Sequence, residues 1–134
     1  MVTKIETNEE FKQYLDTAEY CLVAFTATWN GMCKMMKPVL NRLSETYTTV
    51  KFFEVDVDEL EDIASASGVS AMPTYMVFSW GHVVDQLVGA SGDKLESLVK
   101  RYDRVPLPPR PVYEMVLDKV DRSGDEHFTR VRKQ

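Results

Sequence analysis

The unbroken apolar run Cys21-Leu22-Val23-Ala24-Phe25 constrains this chain more than any other stretch. Five consecutive apolar residues leave no face for water, so the run predicts a strand covered on both sides. Such strands belong to sheets with helices on both faces, and the neighbouring segments alternate accordingly. Val2 to Ile5 suits a short strand. Thr7 and Glu10 make a capping-box pair ahead of a helix whose apolar face is Phe11, Tyr14, Leu15 and Ala18. Met36, Val39, Leu40, Leu43 and Tyr47 continue helical spacing up to Thr48, with a kink expected at Pro38. Val50 to Asp56 predicts a strand, and Leu60, Ile63 and Ala64 mark a helix ending near Gly68. Thr74 to Ser79 and Val83 to Val88 pair around a Gly81-His82 turn. Ser91 caps a last helix facing inward through Leu95, Leu98, Val99 and Tyr102. The order β-α-β-α-β-α-β-β-α predicts an α/β fold with a central mixed sheet flanked by helices.

Beyond Tyr102 the character changes. Val105 to Pro111 carries four prolines and predicts an extended, stiff spacer. Its PxxP pattern lacks a regular basic flank, so it reads as a spacer before it reads as a docking ligand. Val112, Met115, Val116 and Val120 then suit one amphipathic helix, broken at Ser123-Gly124. The expected division is a domain over 1–102 and an extension over 103–134.

Charge and composition narrow the function. The formal net charge is −5, with −6 carried by residues 1–102 (nine Lys/Arg against fifteen Asp/Glu) and +1 by residues 103–134 (seven against six). An acidic body argues against nucleic-acid binding. No basic-then-apolar leader and no apolar run near the roughly 20 residues that span a bilayer is present, so neither membrane attachment nor export is expected. A reducing, cytoplasmic location follows, because two cysteines make no disulfide framework. His82 and His127 are isolated in sequence and suggest solvated side chains; no metal or cofactor is expected. The acidic run Glu54 to Asp62 reads as a solvated face.

The candidate chemistry lies in Phe25 to Lys34, where the apolar strand runs into a helix. That junction sits at the carboxyl end of a sheet beside a helix N-terminus, a common location of α/β active sites. It holds one thiol, Cys33. Cys21 lies about 16 Å back along the strand at about 3.3 Å per residue, too far to pair with it; it reads as a small buried hydrophobe.

Phe25-Thr26-Ala27-Thr28-Trp29, Gly31, Cys33-Lys34 and Lys37-Pro38 resemble the thioredoxin family in order and spacing. Glu54-Val55-Asp56-Val57-Asp58, Ala71-Met72-Pro73-Thr74-Tyr75, Gly81 and Gly89-Ala90 continue the likeness over about residues 2–102. The resemblance implies the thioredoxin fold, with a cis proline at Pro73 packed beside the motif. It also implies a reaction that this chain lacks the groups to run. The family motif is Trp-Cys-Gly-Pro-Cys; here it is Trp-Asn-Gly-Met-Cys. Asn30 replaces the nucleophilic cysteine, Met32 replaces the proline, and Cys33 stands at the resolving position with nothing to resolve. Ala24 replaces the buried aspartate that serves proton transfer in many family members.

Two expectations follow from that resemblance. In the first, this is a thioredoxin-like protein without the dithiol disulfide-reductase cycle, which binds a protein partner. The binding surface would be the former substrate groove of Trp29, Gly31, Met32, Met72, Pro73, Gly89 and Ala90, the tail, or both. In the second, Cys33 alone performs mixed-disulfide or glutathione chemistry. An iron–sulfur role ranks behind both, because related monothiol proteins use the first cysteine position. Met36 and Met76 are expected in the core, which leaves Met32 and Met72 for contact.

Overall fold

A computed structural model describes residues 1–133. The elements are β1 (Val2–Lys4), α1 (Asn8–Leu15), β2 (Cys21–Thr26), α2 (Gly31–Thr46), β3 (Lys51–Asp56), α3 (Glu61–Ala66), β4 (Thr74–Ser79), β5 (His82–Val88) and α4 (Gly92–Lys100). β6 (Val112–Val120) and β7 (Glu126–Lys133) follow. Strands β1 to β5 form one sheet in the order β1-β3-β2-β4-β5. β1, β3 and β2 run parallel, while β4 is antiparallel to both β2 and β5. The mixed sheet expected from the sequence is therefore present, with the apolar run at its centre.

Side chains of a strand alternate between faces, and β2 feeds two cores in this way. Leu22 and Ala24 pack with Met36, Leu40 and Leu43 of α2 and with Leu95 and Leu98 of α4. Cys21, Val23 and Phe25 pack with Leu15 of α1 and Ile63 of α3. Each fully buried Leu or Phe contributes about 1.5–3 kcal/mol relative to exposure. The register pairs Cys21 with Phe78 and Phe25 with Thr74. One pole of the sheet thus holds the end of β2 and the start of β4; the other holds the start of β2 and the end of β4.

Several boundaries differ from expectation. Thr7 does cap α1, its hydroxyl accepting the Glu10 N–H at 3.1 Å, but the helix stops at Leu15 and Ala18 lies exposed beyond it. Asp16 and Thr17 compete with helical backbone bonding there. α2 ends at Thr46, short of Thr48, with Pro38 inside it. The β4–β5 turn falls on Trp80-Gly81, not Gly81-His82, with φ of 51° and 79° at its two residues. Positive φ at both central positions is what a type I′ hairpin turn requires.

The tail departs most. Residues 112–120 form a strand, not a helix, paired antiparallel with β7 in a separate two-stranded sheet. The apolar positions that fit helical spacing include three valines, and β7 offers Phe128, Thr129 and Val131, residue types that a pleated strand favours over a helix. Ser123-Gly124 breaks no helix; it lies in the loop joining the strands. Asp121 builds that loop, its carboxylate accepting the N–H groups of Ser123 at 2.9 Å and Asp125 at 3.0 Å. Gly124 takes φ of 86° within the loop.

The proline segment is docked on the body. Trp80 Nε1 donates to the Pro108 carbonyl at 2.8 Å, the Arg110 guanidinium lies 4.3 Å from the centre of the Trp80 ring, and Arg110 pairs with Asp16 at 2.5 Å. The Tyr113 hydroxyl meets His82 Nε2 at 3.1 Å. These anchors gather at the pole where β2 begins and β4 ends. His82 is thus a partner of the tail and not merely a solvated side chain.

Candidate functional site

The candidate site occupies the opposite pole. β2 ends at Thr26, and Ala27 turns the chain by accepting the Asn30 N–H at 3.1 Å. Asn30 is the N-cap of α2 in an extended conformation, and its side-chain oxygen accepts the Cys33 N–H at 3.1 Å. The residue at the nucleophile's position therefore satisfies one of the helix's orphan donors, a role worth about 1 kcal/mol. Asparagine immediately before a helical pattern is a cap signal available in the sequence, and the sequence reading passed over it.

Trp29 is held from β3. Asp56 is buried and accepts the N–H groups of Asp58 at 2.8 Å and Glu59 at 3.3 Å. The turn so formed aims the Asp58 carboxylate at Trp29 Nε1, 2.9 Å away. Asp56 is no member of a solvated face, which corrects the reading of the acidic run at that residue. With its nitrogen fixed, the Trp29 ring remains 65% exposed, beside Met32 at 57% and Met35 at 60%. Met36 and Met76 are buried in the two cores. A Cβ placed on Gly31 would meet nothing within 4 Å, so space does not demand glycine there.

Met72-Pro73 is a cis peptide bond. Pro73 is buried and Met72 half-buried. The Pro73 carbonyl accepts the Gly89 N–H at 3.0 Å, which draws Gly89 and Ala90, both half-buried, alongside the cis proline. Gly89 has φ of 114°, a conformation that side chains disfavour. The Met72 peptide unit makes no hydrogen bond among the described residues.

Cys33 is 7% exposed. It lines a cleft of about 160 Å³ with Lys4, Lys34, Lys37, Glu54 and Asp56. Ala24 lies wholly buried on the same core as Met36 and Tyr75. Burial first, then the neighbouring Cys33 and Glu54, pushes the Tyr75 hydroxyl well above its ordinary value. Cys21 is wholly buried, with its thiol pushed up to about 12 by burial and, secondarily, Glu19. Both cysteines are free. Among the described residues no group of His, Cys, Asp and Glu is placed to hold a metal ion, and no helix is long and apolar enough to cross a membrane.

Sheet order and the cis proline ahead of β4, at the same pole as the end of β2, place the body in the α/β class built on the thioredoxin fold. The thioredoxin family profile matches residues 2–101. Human thioredoxin is 45% identical over 101 residues, covering 74% of this chain and 96% of its own. Horse thioredoxin is 44% identical over 102 residues, covering 75% and 97%. Among solved structures, thioredoxin from Malassezia sympodialis superposes with a TM-score of 0.74 at 38% identity, covering 76% of this chain and 93% of that one. Plasmodium falciparum thioredoxin gives 0.73 at 34%, covering 75% and 98%. The chain belongs to the thioredoxin family.

Proposed function

We propose that this family member does not run the dithiol disulfide-reductase cycle and instead binds a protein partner through the former substrate groove. The observation that carries the proposal is Asn30. Its side chain is committed to capping α2 through the Cys33 N–H, and it offers no sulfur with which Cys33 can exchange electrons. Around it the binding elements are retained: exposed Trp29 and Met32 on one side, and Met72-Pro73 with Gly89-Ala90 on the other. The unpaired Met72 peptide unit suits an extended segment added in strand fashion. The proposal carries with it a cytoplasmic location, the reducing compartment in which two unpaired thiols persist.

The test pairs an activity with a binding measurement. Insulin reduction driven by dithiothreitol is expected to proceed no faster with the protein than without it. Partner capture from native extract is expected to fall on Trp29→Ala and on Met72→Asp. Turnover that disappears on Cys33→Ser would overturn the proposal in favour of single-thiol exchange. Capture that survives both groove variants would move binding away from this pole.

A further inference from the structure

Beyond the groove, and independent of it, the hairpin β6–β7 is a folded element outside the residues that the family profile matches. Every residue of both strands is exposed except Tyr113, which is half-buried against the body. Val112, Met115, Leu117, Val120 and Phe128 are between 49% and 62% exposed. A lone two-stranded ribbon is marginally stable in water, and three or more strands are needed for independent stability. The missing strands must come from an edge, and the two edges are not alike. β6 carries one extra residue, Asp118, where the register shifts between Leu117 and Lys119. Such a bulge bends the strand and blunts its edge against further pairing. β7 is regular over its eight residues, and its outer edge is unpaired.

We propose that β7 pairs antiparallel with β7 of a second copy of this chain, joining two hairpins into a four-stranded sheet. Charge selects both the occupant and the register. β7 and the residue before it read Asp125-Glu126-His127-Phe128-Thr129-Arg130-Val131-Arg132-Lys133, acidic at one end and basic at the other. A two-fold axis through Thr129 sets Lys133 opposite Asp125 of the second copy and Arg132 opposite Glu126. Arg130, whose guanidinium lies 4.0 Å over the Tyr113 ring of its own chain, then stands opposite Phe128, and Thr129 faces Thr129. Opposite charges and Thr–Thr pairs across strands are both favourable, and these carry the register. Shifting the axis to Arg130 sets two arginines face to face. The equivalent pairing of β6 about Val116 sets Glu114 against Asp118. Among the described residues, Glu126, Arg130, Arg132 and Lys133 make no ion pair within the chain.

In the dimer the two Lys133 positions lie about 27 Å apart, at about 3.4 Å per residue. The two bodies therefore hang from opposite ends of the new sheet, and their groove poles point outward.

The experiment is sedimentation velocity on the full chain across the micromolar range, with Glu126→Arg, Arg132→Glu and their equimolar mixture. The wild-type chain is expected to dimerise with rising concentration. Each single variant places two like-charge pairs in the interface and should weaken dimerisation by about tenfold or more. The mixture should recover it as a one-to-one heterodimer, because each arginine of one copy again faces a glutamate of the other. Recovery also establishes that the variants are folded. A wild-type chain that stays monomeric throughout, a dimer indifferent to Arg132→Glu, or a mixture no tighter than its components would each overturn the proposal.

Discussion

The groove pole and the tail pole of this molecule hold their side chains in opposite ways. At the groove pole the Trp29 ring and the helix start are braced from behind: Asp56 shapes the turn that presents Asp58, Asp58 fixes Trp29, and Asn30 closes the start of α2. At the tail pole a few contacts through Trp80, Arg110 and Tyr113 tie down the base of a ribbon, and farther out the ribbon is held only by its own contacts, such as Arg130 over Tyr113 and His127 with Asp121, among the described residues. On the proposed function, the first arrangement is a preformed surface whose partner would meet little ordering cost. The second makes a surface that gains order by binding. Cross-strand pairs stabilise the hairpin, but the cores on either side of β2 stabilise only the body.

That contrast is easiest to break by truncating one leucine at a time. Leu43→Ala, wholly buried in the body, should cost about 2–5 kcal/mol in denaturant unfolding. Leu117→Ala, half-exposed on the hairpin, should change the same transition by less than about 0.5 kcal/mol. Equal losses would mean that hairpin and body fold as one unit. A smaller effect is expected at the anchor. Trp80→Gly retains a residue suited to φ of 51° and removes both the Pro108 hydrogen bond and the Arg110 stack. Amide exchange should speed up across β6 and β7 by about tenfold, for a lost docking energy of about 1.5 kcal/mol, while protection in β2 stays as it was. Loss of protection in β2 would show that the poles are coupled.

The smallest expected effect is that of acid. Hydrogen bonding first to His127, then to the backbone N–H of Asp125, holds the Asp121 carboxyl below its ordinary value of 3.8. A depressed carboxyl contributes stability above the unfolded value and loses it as pH falls through the folded one. The loop should therefore loosen only below about pH 4, and Asp121→Asn should abolish that acid step. A step that persists in Asp121→Asn would assign it to another carboxylate.

What the sequence revealed follows the same division. The body was legible because burial on both faces of β2 leaves an unbroken apolar run, and because helix faces repeat at a fixed spacing. The motif residues were legible by their spacing, and the structure brings Trp29, Met32, Met72, Pro73, Gly89 and Ala90 to one pole. The second role of Asn30 went unread although its position before a helix signals a cap. Asp56 was hidden among acidic neighbours, since its burial depends on a turn that charge patterning does not reveal. Strand β6 reads as a helix in the sequence because Val112, Met115, Val116 and Val120 satisfy the helical period, and β7 reads only as a polar, basic end. Over a short segment with no core to face, neither period is enforced. Trp80 gave the weakest signal, an aromatic where a turn residue is expected, and only its tail contacts explain it.

The placement of the anchors has a consequence for thermodynamic linkage. A ligand influences a distant site only by favouring one of two arrangements that the other site also distinguishes. Between Trp29 and Trp80 lies the length of a strand buried on both faces, a single close-packed arrangement with no alternative to select. A partner in the proposed groove should therefore leave the proposed β7 self-association unchanged, so the two equilibria would be independent.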